Sequence, residues 1–240
     1  MELNMNKSLD YILYFITSLV IIWIIFVYVM SKTDSLRDDL AVDLPENLPA
    51  LSPINPVEIG KKLTDTITYT LSAANKKKWA FFDFSRGSVV LDVKSLKEPK
   101  GWDIAFRRAK IISNGGETNK LGEVAISKLD TSDFDSISVA PESAEFVKDT
   151  HLPTRQETKN KNFEKWFSYQ FINHKIKSLR NVYLIRTAEG NYAKMQILNY
   201  YCIKEGKRID SCYTIKYVYQ GNGSQRFGRF GSLVKKTDIK

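Results

Sequence analysis

The sequence predicts a β-rich domain, all-β with a few short helices, preceded by a single transmembrane α-helix. Three observations predict it. An uncharged apolar run, Tyr11–Ser31, lies near the start of the chain. Short β-branched and aromatic segments then recur between glycine-bearing turns. The two cysteines, Cys202 and Cys212, fall in neighbouring strand-like runs.

After an N-terminal flank (1–10), the run YILYFITSLVIIWIIFVYVMS carries no charge. As a helix rising about 1.5 Å per residue, it spans roughly the 30 Å of a bilayer's hydrocarbon. A cleaved signal peptide would have a shorter core and a small-residue cleavage site, which Met30-Ser31-Lys32-Thr33 does not offer. No cysteine follows for lipid attachment. The run is apolar on every side, with Tyr11, Tyr14, Trp23 and Tyr28 spread along it, unlike an amphipathic core helix. Residues 11–31 are therefore expected to be an uncleaved signal anchor, contacting the membrane. Lys7 before the span and Lys32 and Arg37 after it do not decide orientation, and long domains translocate largely regardless of such charges.

Four of the seven prolines, Pro45, Pro49, Pro53 and Pro56, crowd residues 40–58. Such density favours extended chain, so 32–60 reads as a semi-rigid stalk and 61–240 as the folded domain. Within that domain Thr66–Leu71 reads as a strand. Trp79–Phe84 and Val89–Leu91 flank a turn at Ser85–Ser88. Trp102–Phe106 runs toward Ile111-Ile112, closed by Asn114-Gly115-Gly116. Val182–Arg186 and Tyr192–Cys202 flank a turn at Ala188–Asn191, and Cys212–Gln220 follows. Pro141–Asp149 has the proline and early glutamates of a short helix. Phe163–His174 fits helical and alternating periods alike.

A hairpin centred on Lys207 sets Cys202 opposite Cys212, within bridging distance. Ala193, Met195, Ile197 and Tyr201 then share a core face with Tyr213, Ile215, Tyr217 and Tyr219. The cysteines fall on the other face with Lys194, Gln196, Thr214 and Lys216, which reads as solvated. An exposed pair of neighbouring thiols suits an oxidising compartment, placing the domain outside the cytoplasm.

Net charge is +9, with 43% of residues hydrophobic and 12% aromatic, enough for a packed core. The basic excess suits anionic lipid, acidic partners or carboxylate-bearing ligands; the anchor and the compartment argue against nucleic acid. There is no C-x-x-C-H for covalent haem, no C-x-x-C, no H-E-x-x-H and no phosphate-binding loop. The glycines at 221–231 follow a strand and read as a hairpin turn. Asp83 and Asp103 have no partner carboxylate visible in the sequence, so no enzyme is expected.

The blocks WAFFDFSRGSVV (79–90), GWDIAFR (101–107), SNGG (113–116), NVYLIRTAEGNYAKMQILNYY (181–201) and CYTIKYVYQGNGS (212–224) appear in order. Together they resemble the HmuY family, haem-binding proteins best known from anaerobic Bacteroidetes, over roughly residues 64–235. The resemblance implies a compact β-rich fold outside the cytoplasm. It also implies haem held between two axial side chains, two histidines in founding members and two methionines in others, and passed to an outer-membrane receptor.

Haem iron takes His, Met, Cys or Tyr ligands within apolar walls. By position within a matching block His174 is the leading candidate for the iron, with His151 and Met195 competing for the second place. Arg107 and Arg108 are available for propionates. A transmembrane anchor departs from the lipid-anchored pattern of the family. It points to the bacterial inner membrane, with the domain in the periplasm. Two functions follow: a membrane-anchored haem-binding protein, or a single-span accessory subunit using the domain as an interaction module in a multi-subunit inner-membrane complex, respiratory or otherwise electron-transferring.

Overall fold

A computed structural model describes residues 3–39, 48–54, 66–152 and 155–227. Helix α1 runs Leu3–Asp39, and its segment Asp10–Tyr28 is long and apolar enough to cross a membrane. Two hydroxyls within this segment close their hydrogen bonds on the helix itself. Thr17 Oγ1 donates to Tyr14 O at 3.0 Å and Ser18 Oγ to Phe15 O at 2.8 Å, so neither hydroxyl needs water. The helix continues past the expected end at Ser31, through a stretch without glycine or proline.

The stalk expected over 32–60 therefore divides. Residues 32–39 are helical, while 40–47 and 55–60 lie outside the described residues. Between them the chain docks on the domain. Ile203 N donates to Pro49 O at 3.0 Å, Ser52 N donates to Thr70 O at 2.8 Å, and Tyr69 Oη donates to Pro53 O at 3.2 Å. Prolines cannot donate to a ladder, but their carbonyls accept, and this edge uses them so.

Five antiparallel strands form the main sheet in the order β1 (Ile67–Ser72), β13 (Lys207–Gln220), β12 (Tyr192–Lys204), β11 (Val182–Arg186), β6 (Ala125–Leu129). A second antiparallel sheet has the order β3 (Ser88–Val90), β2 (Ala80–Asp83), β4 (Ile104–Arg107), β5 (Lys110–Ser113). Alternation along each strand sends aromatic rings into the space between the sheets. Phe82 meets Tyr69 and Tyr217 edge-on at 5.4 and 5.5 Å, and Phe106 packs on Tyr213 at 4.5 Å. The buried tyrosines also reach main-chain acceptors: Tyr213 Oη donates to Arg108 O at 2.7 Å and Tyr217 Oη to Gly87 O at 3.1 Å.

The expected core face of β12 and β13 is buried as read. The opposite face, expected to be solvated, is covered too. Phe134, Ala140 and Phe227 pack over Val182, Leu184 and Val218, and Lys194, Gln196 and Thr214 are 3%, 5% and 5% exposed. Lys194 Nζ donates to Phe134 O and Ile137 O, each at 2.7 Å, and lies 4.0 Å from the Phe134 ring. A segment distant in sequence, 131–147, supplies this cover together with Phe227. Its Pro141–Ala144 stretch closes a single turn, Ala144 N to Pro141 O at 3.0 Å, not the short helix that proline and glutamates suggest.

Cys202 and Cys212 form a disulfide with Cα atoms 5.6 Å apart, and both are fully buried rather than on a wet face. The hairpin turns at Glu205-Gly206, both with positive φ, instead of at Lys207. Regular pairing sets Cys202 against Ile209. Irregularities at Asn199 and at Ser211, whose φ is +59°, bring Cys212 back to Cys202.

The ambiguous Phe163–His174 region resolves into a short 3-10 helix (Lys161–Phe163), strand β9 (Phe167–Gln170) and a turn into β10 (Lys175–Ser178). A second small hairpin joins β7 (Thr150–Leu152) to β8 (Arg155–Lys159).

Candidate functional site

The sequence-predicted ligands come out differently in the structure. Met195 is fully buried in β12, paired with Tyr183 on one side and Tyr217 on the other. It is core packing, as an unbranched thioether often is, and offers no ligand to a site on the surface. His151 stands on β7 with its side chain 58% exposed, its Nε2 3.0 Å from Glu117 Oε2. His174 occupies the β9–β10 turn with φ +53° and is exposed. Asn173 Oδ1 accepts from Lys175 N at 3.1 Å, and Asn173 Nδ2 donates to Gln170 Oε1 at 3.0 Å, fixing the turn that presents the imidazole.

Around His174 the same turn displays apolar side chains. Phe171 is 81% exposed and Ile172 54%, and the Phe171 ring lies 6.2 Å from the imidazole. Lys175, at the end of the turn, supplies a cation. These side chains fit haem chemistry: an exposed imidazole, aromatic and aliphatic surface for a porphyrin face, and a cation for a carboxylate. Of the two propionate candidates from sequence, Arg107 is engaged elsewhere. It stacks on Trp79 at 4.3 Å and pairs with Glu157 at 3.6 Å. Arg108 is exposed at positive φ, its carbonyl taken by Tyr213.

One cleft of about 200 Å³ lies between β5, the β7–β8 hairpin and the 3-10 helix, walled by Ile111, Leu152 and Phe163. Lys110 pairs with Glu157 and Lys159 with Glu164 around it. It falls below the roughly 300 Å³ at which pockets begin to enclose drug-sized ligands. A flat macrocycle is better matched by the open hairpin surface than by this cleft.

The SNGG block is structural. A Cβ on Gly115 would sit 2.2 Å from Val124 O, and one on Gly116, at φ +63°, 2.2 Å from Asp149 O. Asp149 is buried, which raises its pKa, yet it is saturated. It accepts from Ser113 N, Ser113 Oγ, Thr118 Oγ1 and Asn160 Nδ2 at 2.5–3.0 Å.

Sequence reasoning missed one constellation. Asp83, Asp103 and Glu189 converge where the β11–β12 turn meets the second sheet. Asp103 accepts from Phe84 N at 2.8 Å and from Ala188 N at 2.7 Å, tying the two sheets together. Burial, then the charges of Asp83 and Glu189, push its pKa well above the usual carboxylate range. Burial and Asp83 push Glu189 up as well. Asp83 and Asp103 can be singled out as aspartates in apolar strands, but Glu189 reads as an ordinary turn residue, so nothing in one dimension joins the three.

Comparison with known proteins agrees with this architecture. No match was found among curated protein sequences. Several solved structures share the fold, among them the following three. A protein described as HmuY-like and heme-binding from Bacteroides vulgatus has a TM-score of 0.50 at 19% identity, over 69% of this chain and 97% of its own. A protein described as a lipoprotein from Bacteroides fragilis has a TM-score of 0.51 at 16% identity, over 68% and 94%. The apo HmuY analog of Tannerella forsythia has a TM-score of 0.50 at 14% identity, over 67% and 99%. At such identities the likeness is one of fold. The HmuY protein family model matches residues 75–217, from the approach to β2 nearly to the end of β13. That stretch holds the second sheet, the main sheet apart from β1 and the last residues of β13, and the two small hairpins, and the chain belongs to the HmuY family.

Proposed function

We infer that this chain is a membrane-anchored, extracytoplasmic and non-catalytic haem-binding protein. The observation that carries the reading is the β9–β10 turn, which presents His174 beside the solvent-exposed Phe171 and Ile172. Large apolar side chains displayed beside an imidazole are costly in water and are what a porphyrin face would cover. His174 is the first axial ligand. His151, on β7 with its Nε2 3.0 Å from Glu117 Oε2, is the other histidine the sequence offers as a ligand. When bound, haem supplies the iron and its spectrum, while the chain's residues bind and orient it. Family membership supports the reading, and the exposed apolar helix supports an anchor at Asp10–Tyr28.

The test is a visible-absorption titration of the full-length chain in mild detergent with haemin, against empty micelles. A saturable Soret shift, weakened by His174→Ala and by Phe171→Ser, is expected. A wild-type response equal to the blank would remove haem from the account and leave the role of an accessory membrane subunit. Retention in the pellet after alkaline carbonate washing is the expected behaviour of an anchored chain; a chain shortened past residue 31 would mark the helix as a cleaved signal.

A further inference from the structure

The cleft between β5, the β7–β8 hairpin and the 3-10 helix shares no residue with the β9–β10 turn, and its lining is of two kinds. Ile111 and Phe163, 5% and 3% exposed, form an apolar floor with the half-buried Leu152. Lys110, Glu157, Lys159 and Glu164 stand on the rim. At about 200 Å³ the cleft holds about six or seven waters at about 30 Å³ each, and an apolar floor gives such waters few partners. A solute with a small apolar body displaces them at a gain.

The walls are held by contacts other than the rim's. β5 is laddered to β4, and Ala109 O accepts from Trp166 Nε1 at 3.0 Å. Asn160 caps the 3-10 helix, its Oδ1 accepting from Asn162 N at 3.1 Å. Its Nδ2 donates to Val147 O and to Asp149 Oδ1, each at 3.0 Å. Phe163 packs on Tyr183 with ring centroids 4.9 Å apart. The cleft is therefore preformed, and rim side chains can turn toward a ligand while the floor keeps its shape.

The charge of the rim selects the polar end of that ligand. Lys110 pairs with one oxygen of Glu157, Arg107 Nη2 lies 3.6 Å from the other, and Lys159 pairs with Glu164. Among the described residues these are three cations against two carboxylates, which leaves one positive charge over. Glu157 has a cation on each oxygen, whereas Lys110 and Lys159 each use one of three ammonium donors on a glutamate. Unused ammonium donors beside a surplus positive charge suit a carboxylate, which makes charge-assisted hydrogen bonds to them.

We propose that this cleft binds a small monocarboxylate whose apolar body is a single ring or a short branched chain. The carboxylate is received at Lys110, on the side of the rim where Arg107 supplies the surplus charge, and the body lies on Ile111, Leu152 and Phe163. This is a second ligand site, independent of haem.

The experiment is calorimetric titration of the full-length chain in mild detergent with phenylacetate, against empty micelles. Benzylamine and benzyl alcohol carry the same ring with other polar ends. Saturable one-to-one binding of phenylacetate is expected, tighter than that of either analogue by about tenfold or more. Lys110→Met should weaken it by about tenfold, and Lys159→Met by a smaller factor. Leu152→Trp, which fills the cleft from its half-buried wall, should abolish binding with unchanged far-UV circular dichroism. Should the tryptophan variant fail to fold, Lys110→Met decides. A response equal to the micelle blank, equal affinity for the three probes, or binding unaltered in the variants overturns the proposal. Displacement of phenylacetate by haemin would make the cleft a seat for a haem propionate and overturn it equally.

Discussion

Replacing Lys194 by methionine removes a buried charge while keeping most of the aliphatic stem. Lys194 Nζ is the donor to Phe134 O and Ile137 O at 2.7 Å, and burial holds its pKa down at about 8. The unfolded chain keeps a lysine near pH 10.4. Between those values the unfolded state binds more protons, so wild-type stability must rise with pH. One proton gives at most about 1.4 kcal/mol per pH unit, and with Lys194 still half-protonated at pH 8 the gain between pH 8 and 9.5 is about 1.5 kcal/mol. Buried tyrosines such as Tyr183 and Tyr219, both pushed up to about 12 by burial, oppose this only at higher pH. In Lys194→Met that slope vanishes. At pH 7.5 the variant loses two charged hydrogen bonds, roughly 1.5–3 kcal/mol each, offset by release from the buried charge, for a net loss of about 2 kcal/mol. Denaturant melts of the full-length chain in detergent, followed by tryptophan fluorescence at pH 7.5, 8.5 and 9.5, measure both quantities. Parallel pH profiles for wild type and variant would refute the argument, because they would mean that Lys194 titrates as in water.

Other outcomes follow from the same geometry. Replacing both Cys202 and Cys212 by serine should cost somewhat under 3 kcal/mol, the value for a loop slightly longer than this one of sequence separation 10. In the intact fold the bridge, fully buried, should resist dithiothreitol until denaturant is added, as thiol alkylation would report. Gly116→Ala should prevent folding or cost several kcal/mol, because the new Cβ meets Asp149 O at 2.2 Å. Gly190→Ala, at φ +82° with nothing within 4 Å, should cost only about 1–2 kcal/mol in a denaturant melt.

How far these features are legible in sequence depends on how far apart their parts lie. The apolar run, the strand alternation and the glycine turns are local, and period and turn chemistry declare them without knowledge of the fold. The face of β12 and β13 carrying Ala193, Ile197, Tyr213 and Ile215 follows from that alternation alone, whereas the two cysteines meet only because the ladder is irregular at Asn199 and Ser211. The wetness of the other face does not. Lys194 and Gln196 read as solvent-facing, yet residues 131–147 fold over them, and burial is a property of the neighbour as much as of the residue.

The candidate site divides along the same line. His174 and its aromatic turn are contiguous, so one segment contains both the candidate imidazole and the apolar surface beside it. Met195 has the right chemistry in the wrong layer, which only packing reveals. Asp83, Asp103 and Glu189 come from the end of one strand, the approach to another and a turn of the other sheet. The sequence by itself determined the β-rich class, the apolar N-terminal helix and the family. Tertiary structure decided which polar residues are dry and which carboxylates meet, because close approach between distant segments follows from how the sheets stack rather than from any local pattern.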